Sequence, residues 1–171
     1  MKEALENFWY HYKVPVLIAA AILVTGCYLL FQHSAVPAAD YEVAVVSPAY
    51  YSDEQLTALQ TALAAAGTDV NGDGKVIVTV HRYRLEIGAD GQDSVEIASL
   101  DADLVGNRSG LFFLADPSAF EEATNGICRA SEAVPCAEIK AFSGEDWKSL
   151  FAVVREKADK KYAAVLAALT A

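Results

Sequence analysis

Between Lys13 and Lys75 the chain has no lysine or arginine, and cations are scarce throughout, with 13 Lys and Arg against 23 Asp and Glu. No basic cluster and no basic strand interleaved with aromatics offsets the deficit, so nucleic acid is excluded as a partner on electrostatic grounds. Catalytic templates are missing as well. GxSxG, HExxH and the Walker loop do not occur, and Gly106–Gly110 has the wrong spacing for a nucleophile elbow. His81 is the only histidine after His33, and no CxxC pair is present, which leaves neither a partnered nucleophile nor a redox couple. The expectation is a non-enzymatic chain.

What is present begins with Val14 to Phe31, VPVLIAAAILVTGCYLLF, which carries no charge. Eighteen helical residues cover roughly 27 Å at about 1.5 Å each, close to the hydrocarbon thickness of a bilayer. Phe8, Trp9, Tyr10 and Tyr12 precede it where an aromatic belt would sit. Lys2 and Lys13 lie before the span and none follows until Lys75, so the positive-inside bias places the N-terminus in the cytoplasm and the remainder outside. The expected organisation is a cytoplasmic arm 1–13, a transmembrane helix 14–32, a linker 33–40 and an extracytoplasmic domain 41–171 in the cell membrane. Val24-Thr25-Gly26-Cys27 loosely resembles a lipobox, which keeps cleavage and acylation at Cys27 as the alternative. Against it, Glu3 and Glu6 cancel the two lysines of the arm, and apolar residues continue past Cys27 to Phe31. Because the arm is neutral, the net charge of −10 belongs to the outer domain.

Glu42–Val46 reads as a strand, and Ser52 with Gln55 forms a capping box ahead of Leu56, Leu59 and Leu63, with Gly67 as the stop. Lys75–Ile87 is β-rich, apolar on both faces at first and then alternating. Ser94–Val105 is an acidic helix that leads into the strand Leu111–Leu114. Ser118 and Glu121 cap a short helix, Ala137–Phe142 is a weak strand, and Leu150–Arg155 is a clear one before the Ala-rich Asp159–Leu169. Alternating strands and helices predict an α/β domain with a largely parallel sheet covered by helices.

The order strand, helix, strand and then ASLDADLVGNRSGLFFLADPSAFEEATNG, over residues 41–126, resembles the first lobe of extracellular solute-binding proteins, in which a helix and small-residue turn precede an apolar strand, an acid and a short helix. The FWYHYK start with its span and the DVNGDGKV loop resemble small single-pass proteins of unknown function from Gram-positive bacteria. These resemblances imply a membrane-anchored domain that binds a solute, an envelope component or a protein; the alternative is an accessory or structural subunit of a membrane complex.

The sharpest local motif is Asp69-Val70-Asn71-Gly72-Asp73-Gly74-Lys75, which matches the start of a DxNxDG calcium loop. Its ligands would be Asp69, Asn71, Asp73 and the Lys75 carbonyl. Position 12, where a bidentate acid is expected, is Val80, so the loop is not an EF-hand. Calcium, the one cofactor the sequence offers, would need Asp90, Asp93, Asp101 or Asp103 to close the shell; without it the same residues make a tight turn into a strand. Cys128 and Cys136 are the thiols outside the span, and an oxidising compartment lets them pair, with two free thiols as the alternative. In a parallel sheet a groove lies beyond the carboxyl ends of the strands, which brings up Tyr50, Tyr51, Asp116 and Arg155 as ligand-binding candidates. The plainer reading has the tyrosines on the core edge, Asp116 starting a helix and Arg155 in solvent.

Overall fold

The computed structural model describes residues 2–34, 38–88, 94–139, 141–142 and 147–171. It falls into two compact units, Met1–Ala38 and Ala39–Ala171.

The first unit is one helix, α1 (Lys2–Ser34), which takes in both the expected arm and the expected span and carries Pro15 within it. Tyr12–Leu29 has a mean hydropathy of 1.8 and none of it is buried, so α1 is long and apolar enough to cross a membrane. Leu17, Ile22 and Leu23 are more than half exposed. Such a surface is unfavourable in water.

The second unit is an α/β layer built on a five-stranded sheet in the order β2-β1-β3-β5-β4. β1 (Tyr41–Val46) is central and runs parallel to β2 (Val78–Tyr83) and to β3 (Leu111–Leu114). β5 (Phe151–Val154) pairs antiparallel with β3, and the two-residue β4 (Val134–Pro135) pairs antiparallel with β5. The sheet is therefore mixed, not largely parallel as the sequence pattern predicts. The reason lies in the connection. β4 runs in the same sense as β3, so the chain enters β5 from the carboxyl end of β3 and returns antiparallel, with no α-helix among the described residues of that connection.

α2 (Asp53–Ala66) starts at the expected capping box, in which Ser52 Oγ accepts from the Gln55 amide and Gln55 Oε1 accepts from the Ser52 amide. With α5 (Lys160–Thr170) it covers one face of the sheet, where Leu59, Leu63, Val165 and Leu169 meet Val43, Val45 and Phe113. α3 (Ser94–Gly106) and α4 (Pro117–Ala123) cover the other face, where Leu100 and Phe120 meet Ala44, Val46, Phe112 and Leu114. Val43–Val46 of β1 and the whole of β3 are buried on both sides, which accounts for their unbroken apolar runs. Two local expectations change. The N-cap of α4 is Asp116, with Pro117 at the first helical position, not Ser118. The segment from Ala137 is not a strand, since Cys136–Glu138 forms a 3-10 turn.

Candidate functional site

The carboxyl ends of β1 and β3 do not gather the four ligand-binding candidates. Tyr51 is 2% exposed and stacks on Trp147 with ring centroids 4.8 Å apart, so it belongs to the core on the α2 side. Tyr50 is exposed and lies 5.2 Å from the Arg82 guanidinium, whose Nη1 donates to the Tyr51 carbonyl at 2.7 Å. Asp116 accepts from the amides of Ser118 and Ala119 at 3.0 and 2.9 Å. It borders a pocket of about 150 Å³ formed by Val46, Pro48, Leu85, Ile87 and Phe120.

Arg155 stands at the other end of the sheet. Because β5 is antiparallel, its carboxyl end lies beside the amino end of β3, and the Arg155 amide donates to the Gly110 carbonyl. Its Nη2 donates to the Leu104 carbonyl at 2.7 Å, while Nη1 is buried without a hydrogen-bond partner among the described residues.

The Asp69–Lys75 loop is organised by backbone donors. Asp69 accepts from Gly72 and Gly74, Asn71 from Asp73, and Asp73 from Lys75, each at 2.7–2.9 Å. Gly72 and Gly74 adopt φ of +78° and +83°, the left-handed conformation that glycine adopts without penalty. A second acid, Asp40, anchors the loop from beneath. It is 2% exposed and accepts from the amides of Ile77, Val70 and Asn71 at 2.8, 2.9 and 3.1 Å. The Ile77 donor above all, then Val70 and Asn71, holds its carboxyl below the usual range against the opposing effect of desolvation. Among the described residues no group of three or more His, Cys, Asp or Glu is placed to hold a metal ion. Asp101 and Asp103 lie on α3, across the sheet from α2, the helix that leads into the loop. Asp90 and Asp93 lie outside the described residues.

Asp103 has a separate role. It is 1% exposed and accepts from the Tyr83 hydroxyl at 2.8 Å, the Ser109 hydroxyl at 2.7 Å and the Ser109 amide at 2.9 Å. Burial, followed by the hydrogen bond to Asp103, raises the Tyr83 hydroxyl well above its ordinary pKa. The triad joins α3, β2 and the turn into β3, and all three side chains are consumed by it.

Cys128 and Cys136 are buried free thiols, so the expected disulfide is not formed. Cys128 packs on the α3 face and Cys136 on the α2 face. Cys128 bridges to Arg155, and the Cys136 amide donates to the Leu150 carbonyl. Those partners are five positions apart on the β5 segment, roughly 16 Å of extended chain, whereas a disulfide requires Cα atoms within about 7 Å. Burial pushes both thiols up to about 12, which makes them inert as nucleophiles.

Sequence reasoning missed Asp40 and the role of Asp103. Asp103 carried a legible signal, since it falls on the stripe of α3 between Leu100 and Leu104 where an apolar residue is due. Asp40 carried none, because its donors lie 30 to 37 residues away. The described surface also holds an open groove of about 560 Å³ along β2, with Asp53 and Leu56 of α2 on one side and Ser99 and Ala102 of α3 on the other. Comparison with protein-family models, with curated proteins and with solved structures finds no match to this chain.

Proposed function

We propose that the chain is a membrane-anchored, extracytoplasmic and non-enzymatic binding module. α1 holds it in the bilayer with its N-terminus in the cytoplasm, and the acidic α/β unit meets a partner outside. The observation that carries this reading is the joining of an unburied apolar helix to a single α/β unit that bears the whole net charge of −10. The positive-inside asymmetry of Lys2 and Lys13 supports the orientation. The resemblance of residues 41–126 to one lobe of solute-binding proteins points the same way, and a protein or envelope component suits a single lobe better than an enclosed solute.

The test is a membrane-impermeant amine reagent applied to intact cells, followed by amine crosslinking and pull-down of the full chain. The reading expects labelling of lysines from Lys75 onward, protection of Lys2, and a reproducible crosslinked partner on the domain. Labelling confined to permeabilised cells would overturn the orientation. Loss of an entire membrane complex on deletion, with no separable ligand, would favour the accessory-subunit alternative.

A further inference from the structure

The two edges of the sheet differ in a way that names the kind of partner. β4 is two residues long and ends in Pro135, which has no N–H, so that edge cannot extend the ladder. β2 has six residues without proline and, among the described residues, pairs on one side only. The carbonyls of Ile77, just before it, and of Tyr83, its last residue, accept from the amides of Tyr41 and Ser47 in and beside β1. In a strand the N–H and C=O of alternate residues point to opposite edges, so Thr79 and His81 also face β1. Val78, Val80 and Arg82 therefore turn their backbone donors and acceptors outward. The next residue in that series, Arg84, has its amide already capped by Glu96 Oε2 at 3.3 Å, whereas no hydrogen bond places a described residue on the outward groups of the other three.

Val80 and Arg82 line the groove between α2 and α3, whereas Val78 is buried outside it, and Leu56, Val80 and Ala102 supply apolar walls. Arg82 and Arg108 line it against one acid, Asp53, which lies 3.9 Å from Arg82, while His81 contacts Glu42 at 3.3 Å, so the lining carries one positive charge in excess, centred on Arg108, in a domain of charge −10. We infer that the β2 edge takes up an extended, acidic peptide segment of a partner protein as an added strand. This rests on the binding-module reading above and specifies its partner. Backbone hydrogen bonding to Val80 and Arg82 supplies the pairing, and the Arg108 guanidinium selects for a carboxylate on the segment. Six residues of β2 span roughly 20 Å, so the segment is about six residues long. A second copy is disfavoured as the occupant, since it would bring two cationic edges together between two domains that each carry −10.

The experiment measures fluorescence anisotropy of a labelled Val-Glu-Val-Glu-Val-Glu peptide with the full chain in lipid nanodiscs. Three comparisons accompany it: the Val-Lys counterpart, the acidic peptide N-methylated at alternate amides, and the acidic peptide with the Val80→Pro chain. Val80→Pro removes one outward donor while leaving the β1 ladder intact. Saturable binding of the acidic peptide is expected, weakened about tenfold or more by N-methylation along the pairing edge, by Val80→Pro and by Arg108→Glu. Absence of binding, equal binding of the lysine peptide, or indifference to N-methylation would each overturn the inference. So would dimerisation of the chain through β2, read as two copies per disc. The N-methylated probe decides the question even if Val80→Pro does not fold. A crosslinked partner that maps away from β2 would leave the binding module standing while this inference fails.

Discussion

Asp40 and Asp103 are both almost wholly buried, and each accepts three hydrogen bonds, but the donors are of different kinds. Asp40 collects only backbone amides, all from the segment that leads into β2. Asp103 collects two hydroxyls and one amide, from Tyr83 and Ser109. The first acid holds a loop in shape and would serve any sequence that delivered the same backbone. The second joins three elements through side chains that must be the right ones. Buried carboxylates in one small domain can therefore be specific in opposite senses, one to conformation and one to residue identity.

The difference can be broken most directly at Asp103. Asp103→Ala leaves two hydroxyls and an amide without an acceptor in the core, and urea unfolding of the full chain should show a loss of about 3 kcal/mol. A loss below about 1 kcal/mol would mean that the triad contributes packing alone. Tyr83→Phe removes one arm of the triad and should cost about 1 kcal/mol. In the Asp103→Ala background the same change should cost much less, because the hydroxyl has already lost its acceptor.

Asp40 should behave locally and with pH. Its folded-state carboxyl lies below the ordinary value of 3.8, so it binds a proton less readily in the folded than in the unfolded chain. The stabilisation is complete above that ordinary value and is lost as pH falls through the folded one. Protection factors for amide exchange at Val70, Asn71 and Ile77 should fall on acidification below about pH 4, ahead of those in the strands. In Asp40→Asn they should be low already at neutral pH and show no such step.

The smallest expected effect is that of calcium. With the loop oxygens engaged by Gly72, Gly74, Asp73 and Lys75 amides, the melting temperature of the full chain should agree within about 1 °C between EDTA and millimolar calcium. A rise of several degrees that Asp73→Ala abolishes would install an ion in the loop and move Asp69–Lys75 from a turn to a site.

Much of the local architecture was legible. The uncharged run of α1, the Ser52–Gln55 capping box, the β1 and β3 runs and the alternation of exposed Arg82 and Arg84 with buried Tyr83 and Leu85 each follow from neighbours within a few residues. The carboxyl-end site was not legible, because it assumed that β5 runs with β3. Reversing one strand sends Arg155 to the opposite end of the sheet from Asp116. The disulfide failed for a related reason. Cys128 and Cys136 are near in sequence, but strand alternation and five positions of β5 register separate them.

The sequence by itself determined the apolar helix, the acidic and cation-poor domain, and the placement of most helices and strands, since these depend on composition, periodicity and capping over short spans. Only the tertiary structure decided strand direction, the partners of Asp40 and Asp103, the state of the thiols and which sheet edge stays open. Those are relations between segments tens of residues apart, and they are set by how the chain closes its sheet.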